Sequence, residues 1–485
     1  MEISMWIKKW LVPALAAAAL SAQAQTGYQI DITVAGLRDT TAFLGYYYGE
    51  QAFLRDTARV GPSGRFVFDG KKSLSPGVYF VALDKTPIFD LVISEDQFFS
   101  VQTTRTDYVS AMKISGDTDN ELFYRNMMFN KARNEEAEPI VKILKDSTLK
   151  EDQKTEAREA FKKINERVLA HQKELIEKYP ATLTARILKS QQPIDVPEPP
   201  KRADGAIDSA FQYRYYKTHF FDNFNLADEA LIRTPKPVYR DKVYDYLDRL
   251  VPQQRDSLFK EIRHLANRAK ANQETYKYLV FQCLLHYQQP KIMGLDEVFV
   301  DLYDTYYATG EMDFWATKEI KKSLKDYADK IRLNMMGKVA PDLKMQDSNF
   351  QPRSLYDIKK RYTIIYFFDP ECGHCKTETP RLVEFYNKNK AKYDLDVFAV
   401  SIDTSMAKMR NFIKEMKTPW VTVNGPRTYV GPYNKLYWVD TTPTVYIIDE
   451  KKKIIARKLP VENFENFFSH YEKYIRKQPP PGKGT

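Results

Sequence analysis

Two cysteines separated by two residues, Cys372-Gly373-His374-Cys375, carry the clearest chemistry in this chain. They follow an apolar run, Tyr362-Thr363-Ile364-Ile365-Tyr366-Phe367-Phe368, and open a helical pattern. A thiol at a helix N-terminus meets unpaired backbone N–H groups and the positive end of the helix dipole, and both favour its thiolate. Two intervening residues keep the sulfurs close enough for a strained, reversible disulfide. The thiolate is the attacking species in disulfide exchange, so this pattern predicts exchange chemistry. His374, between the thiols, offers an imidazole that would further favour the Cys372 thiolate. Asp369 and Glu371 act the other way, because neighbouring carboxylates disfavour a second negative charge.

The elements that must position this pair emerge from the hydrophobic pattern, which changes twice along 485 residues. From about Tyr28 to Gly116 it reads as short strands, among them Gln29–Val34, Arg65–Phe68, Val78–Leu83 and Phe98–Val101, punctuated by Gly61-Pro62-Ser63-Gly64 and Ser75-Pro76-Gly77. Strands at this spacing predict a small all-β sandwich or barrel, here with neither cysteine nor histidine, and a scaffold or binding role. From about Asp119 to Met336 the pattern is helical: Ala157, Phe161, Ile164, Val168 and Leu175 fall close to one helix face. Pro193, Pro197, Pro199 and Pro200 mark an extended loop before a second helical group rich in aromatics. His219 and Asp222 lie three apart in that group, but two ligands are too few for a metal site, and helix packing accounts for the aromatics. From Gly337 onward strands and helices alternate, as in a mixed α/β domain.

The C-terminal segment resembles thioredoxin-like oxidoreductases of the TlpA type, over roughly Gly337 to Ile475. The resemblance rests on Gly337-Lys338-Val339-Ala340-Pro341-Asp342-Leu343, the strand and Cys-x-x-Cys, the strand Leu395–Ile402, and Thr441-Thr442-Pro443 before Thr444–Asp449. It implies that Cys372 is the exposed nucleophile and Cys375 the resolving thiol. It also implies that Pro443 is cis and that Thr442 pairs with a substrate strand. Glu378 matches a buried acid of some TlpA-type enzymes that could take a proton from Cys375. Its spacing alone fits a solvated helix glutamate equally well. The redox-active disulfide Cys372–Cys375 would serve in place of a bound cofactor. The whole chain is also similar to multidomain exported proteins of Bacteroidetes, with matching residues at Asp222-Asn223-Phe224 and Met293-Gly294-Leu295-Asp296.

The expected architecture is therefore multidomain. A small β domain spans 25–117, an all-α domain 118–336 and an α/β thioredoxin fold 337–476, with a disordered tail over 477–485. Two departures bear on mechanism. Tyr366 stands where thioredoxin carries a buried aspartate, and Glu371 stands where an aromatic often precedes the motif. A peroxidase reading fits poorly, because Ile365 and Asp369 occupy the Pro and Thr positions of the peroxiredoxin pattern. The non-enzyme alternative is a partner- or ligand-binding envelope protein in which the redox domain is auxiliary.

Location and partners follow from the rest of the sequence. Lys8 and Lys9, the apolar stretch from Trp10 to Leu20 and Ser21-Ala22-Gln23-Ala24 describe a signal peptide over residues 1–24, cleaved after Ala24, and export to a periplasm. No later segment is apolar for long enough to span a bilayer. Three cysteines do not make a disulfide-stapled scaffold, and Cys283, in an apolar helical stretch, is expected to pack in a core. The net charge of +10 is spread among interleaved acids, which argues against a nucleic-acid partner. The expected partners are disulfide-containing exported proteins and an upstream thiol electron donor.

Overall fold

The computed structural model describes residues 26–201 and 205–475. The expected signal peptide and the C-terminal tail lie outside the described residues. Contacts divide the described residues into two compact units, those up to 192 with 233–236, and those of 193–232 with 237 onward.

In the first unit eight strands form two four-stranded sheets. One has the order β4-β1-β7-β8, from β1 (Tyr28–Ala35), β4 (Arg65–Gly70), β7 (Phe98–Thr104) and β8 (Lys113–Ser115). The other has the order β3-β2-β5-β6, from β2 (Thr41–Tyr48), β3 (Gln51–Arg59), β5 (Gly77–Leu83) and β6 (Thr86–Ile93). Alternation on β1 buries Tyr28, Ile30, Ile32 and Val34 in a core shared with Leu44, Val81 and Leu91 of the second sheet.

Three helices belong to this same unit: α1 (Thr118–Lys145), α2 (Thr155–Lys178) and α3 (Leu183–Ser190). The compact units thus cut the chain elsewhere than the change of periodicity near residue 118. α1 packs Phe123, Tyr124 and Met127 on the β core, and a buried polar contact joins them: the Asn120 amide accepts from the Val92 N–H at 2.8 Å and donates to the Val92 carbonyl at 2.6 Å. It ties the start of α1 to β6 as a ladder strand would, satisfying backbone groups that burial would otherwise penalise.

The second unit holds α4 (Phe211–His219), α5 (Val238–Leu250), α6 (Arg255–Ala269), α7 (Gln273–His286), α8 (Glu297–Leu302) and α9 (Lys318–Leu333). Cys283 on α7 is fully buried. His219 and Asp222 bond to each other, Nδ1 to Oδ2 at 2.6 Å.

A seven-stranded mixed sheet follows in the same unit, in the order β10-β9-β13-β12-β11-β14-β15. Its strands are β9 (Lys344–Asp347), β10 (Pro352–Ser354), β11 (Tyr362–Phe368), β12 (Leu395–Ser401), β13 (Val421–Thr428), β14 (Thr444–Asp449) and β15 (Ile454–Arg457). The helices are α10 (Gly373–Tyr393), α11 (Met406–Met416), α12 (Tyr433–Leu436) and α13 (Phe464–His470). Central β11 pairs parallel with β12 and antiparallel with β14, and all seven of its residues are buried. Tyr362, Ile364, Tyr366 and Phe368 face one core, while Ile365 and Phe367 face the other. A strand covered on both faces reads as a continuous apolar run, which is why this stretch stands out in the sequence. Among the described residues no helix is long and apolar enough to cross a membrane.

Candidate active site

The turn from β11 into α10 presents the two thiols. The Asp369 side chain accepts from the Glu371 N–H at 2.9 Å, and its carbonyl accepts from the Cys372 N–H at 3.1 Å. This locks the turn that delivers Cys372 to the N-cap of α10, where its backbone is extended (φ −70°, ψ 122°). Helical periodicity then drives Cys375 inward, so that it is fully buried while Cys372 stays partly exposed. All three cysteines are free thiols.

The surroundings treat the two sulfurs oppositely. Partial burial would raise the Cys372 pKa, but hydrogen bonds from the Cys375 backbone, the Thr442 and Cys375 side chains and the His374 backbone outweigh it, and the net shift is downward. Burial dominates at Cys375 and pushes its thiol up to about 12. One thiol is prepared to ionise and the other to keep its proton.

Across the sheet, Thr442-Pro443 is a cis peptide. The Thr442 carbonyl accepts from Cys372 Sγ at 3.4 Å, which places this turn directly against the reactive sulfur. His374 is exposed, and its backbone N–H is the part of it that acts on Cys372. The Glu378 carboxylate accepts from Arg381 Nη1 at 2.7 Å and is about one-fifth exposed. Cys372, Cys375, Thr442 and Pro443 are therefore brought together, His374 flanks them on the solvent side, and Glu378 is engaged by an arginine.

Three contributions escape a reading of the sequence. Lys408 Nζ on α11 lies 2.6 Å from Glu371 and 3.3 Å from Asp403, and so offsets the carboxylate next to Cys372. Tyr366, at the position of thioredoxin's aspartate, hydrogen-bonds Thr379 at 2.9 Å, and Thr379 in turn donates to the Cys375 carbonyl at 2.7 Å. A hydroxyl pair takes the place of the buried acid and closes the first turns of α10. Asn334, beyond α9, binds the segment between α12 and the cis-proline turn: it donates to the Leu436 carbonyl at 3.1 Å and accepts from the Trp438 N–H at 2.8 Å. These partners lie 37, 13 and about 100 residues apart in sequence, where no periodicity links them.

Residues 336–457 match the profile of the AhpC/TSA family. This is a thioredoxin-like oxidoreductase domain. Residues 152–330 match a domain of unknown function, DUF5106. Among curated proteins the chain is similar to nucleoredoxin of Xenopus laevis, 30% identical over 24% of this chain and 28% of that protein. It is also similar to the thiol-disulfide oxidoreductase ResA of Bacillus subtilis, 25% identical over 24% of this chain and 64% of that protein. The chain thus spans about a quarter of the nucleoredoxin it matches. Among solved structures, the thioredoxin domain of a thiol-disulfide oxidoreductase from Bacteroides vulgatus is 28% identical, with a TM-score of 0.26, covering 28% of this chain and 96% of that one.

Proposed function

We propose that the whole protein is an exported, periplasmic thiol–disulfide oxidoreductase of the TlpA type, a reductase or isomerase of protein disulfides working through Cys372-Gly373-His374-Cys375. The observation that carries this reading is the asymmetry of the thiols beside the cis-proline turn. Cys372 is accessible with its pKa lowered, Cys375 is buried with its pKa raised, and the Thr442 carbonyl stands against the first sulfur. The location rests on the leader-like residues 8–24, and the TlpA-type assignment on the order of the motifs along the sequence.

In the reductive direction the Cys372 thiolate attacks one sulfur of the client disulfide. A mixed disulfide forms and one client thiolate leaves, taking up a proton. Cys375 then loses its proton and attacks Cys372 Sγ, which releases the second client thiol and leaves the Cys372–Cys375 disulfide. The client gains two electrons and two protons, and the protein dithiol supplies them. A thiol electron donor restores the dithiol by the reverse sequence. The high pKa of Cys375 delays its attack until the mixed disulfide has formed and the charge on Cys372 is gone.

The test is the redox equilibrium of the pair against glutathione, read by thiol alkylation and mass analysis. A potential near roughly −270 mV would mark a reductase, and one near roughly −180 mV an isomerase or oxidant. A pair that never equilibrates with glutathione would overturn the assignment.

A further inference from the structure

A cavity of about 640 Å³ opens beside the cis-proline turn, within the unit that carries the redox pair. One wall is the segment 288–296 between α7 and α8, and the other is formed by Trp438, Thr441 and the chain after β15. Thr441 lines the cavity, and the next residue, Thr442, touches Cys372 Sγ, so the cavity begins one residue from the reacting sulfur's neighbour. The segment is held in place: the Arg457 guanidinium pairs with Asp296, and the Arg457 N–H donates to Met293 Sδ at 3.2 Å.

The lining has a definite chemical character. Ile292 and Met293 are exposed apolar side chains, 46% and 37% accessible, on the wall facing the turn. The Lys458 ammonium lies 3.2 Å above the centre of the Trp438 ring, and among the described residues it makes no ion pair with a carboxylate. Lys291 likewise lines the cavity without a carboxylate partner among the described residues. The two carboxylates of the lining are already engaged. Asp440 binds the Trp438 indole N–H and Lys330, and Asp296 binds Arg457. The charge left over is positive, next to an apolar lip.

We propose that this cavity is a recognition subsite for the client polypeptide, holding an extended segment that flanks the target disulfide and presents an acidic side chain to Lys458. The inference rests on the oxidoreductase reading above and adds a client preference to it. Acid and cation would meet on the face of Trp438, where Lys458 feels Asp440 and Asp296 but is in contact with neither carboxylate. The apolar lip would take a neighbouring aliphatic side chain. The helical region would thereby select clients rather than only support the redox domain.

The experiment uses the reduced full-length protein and pairs of quenched disulfide peptides that carry either Glu or Lys at one position, one to four residues from the cysteine. The wild type is expected to exchange the Glu peptide roughly threefold to fivefold faster at one or two of these positions, the effect of one exposed ion pair. In Lys458→Glu the order reverses, and in Lys458→Met, which keeps an aliphatic stem on Trp438, the two rates converge. A ratio measured within one variant does not depend on how much of that variant is folded. Equal rates for Glu and Lys at every position in the wild type, or a wild-type preference retained in Lys458→Glu, would overturn the subsite while leaving the oxidoreductase intact. Failure of both peptides to exchange at all would instead bring down the oxidoreductase reading, and the subsite with it.

Discussion

The Asn334 side chain accepts the backbone N–H of Trp438 at 2.8 Å across 104 residues of sequence, and Asn334 is 1% exposed. Its carboxamide also accepts from the Tyr446 hydroxyl at 3.2 Å, so it gathers the approach to the cis-proline turn and β14 onto the end of the helical region. Removing a buried carboxamide strands its partners without solvent. Asn334→Ala is expected to cost about 1–3 kcal/mol in chemical unfolding. The same variant should slow peptide exchange, because the turn that faces Cys372 loses its anchor. An unchanged denaturation midpoint would show that this contact carries no weight. Cutting the chain just before Gly337 removes Asn334 as well, so the isolated redox domain should show the same slowing.

Alkylation by iodoacetamide should separate the two thiols by pH. Cys372, with its pKa held below the ordinary thiol value by hydrogen bonds to its sulfur, should reach half-maximal modification at a lower pH than an unperturbed thiol. Cys375 should resist until the pH approaches its value of about 12. Mass analysis of the modified peptides reads both, and matching profiles for the two residues would refute the asymmetry.

The order of attack can be read from single-thiol variants. Cys375→Ala should accumulate a mixed disulfide with a client peptide, visible by mass, whereas Cys372→Ser should form none and lose exchange to background. A stable adduct on Cys375 in the Cys372→Ser protein would reverse the assignment of roles.

Lys408 offers a finer adjustment. Its ammonium lies against Glu371, one residue before the nucleophile. Lys408→Ala should leave that carboxylate uncompensated and move the Cys372 alkylation curve upward by a few tenths of a pH unit, as suits an exposed pair. Glu371→Gln should move it downward, and added salt should shrink both shifts. Curves that coincide with the wild type would remove these side chains from the account.

A separate pH effect belongs to the first unit. Asp90 is largely buried, which raises its pKa to about 6, although the Tyr47 hydroxyl donates to it at 3.2 Å and works the other way. The folded state therefore holds this proton more tightly than the unfolded state. The stabilisation is complete below the unfolded value near 4 and is lost as the pH rises through about 6. Asp90→Asn should stabilise this unit above pH 6, by up to about 3 kcal/mol, and have little effect at pH 4. Equal stabilisation at both pH values would rule out titration as the cause.

The parts of this molecule legible from sequence are those whose physics is local. The strand Tyr362–Phe368 announces itself by burial on both faces, and the Cys-x-x-Cys pair by its place at the following helix start. Edge strands such as β3, with exposed or half-exposed residues throughout, have no alternation to betray them. The site's supporting contacts are hidden for a different reason. Lys408 with Glu371, Asn334 with Trp438 and Lys458 over Trp438 are pairings of ordinary side chains, given meaning only when the sheet brings distant strands together. Glu378 shows the converse: its helical spacing from Cys375 is right, yet a neighbouring arginine claims the carboxylate.

Cys283 adds a reporter to the molecule. It is fully enclosed in α7, and burial lifts its thiol far above the ordinary range. A thiol assay on the reduced native protein near neutral pH should therefore count one reactive group, Cys372, and the same assay in denaturant three. Because Cys283 is reached only when the helical region opens, the rate of its capture, read by mass on its own peptide, becomes a stopwatch for breathing of that region, independent of the catalytic pair.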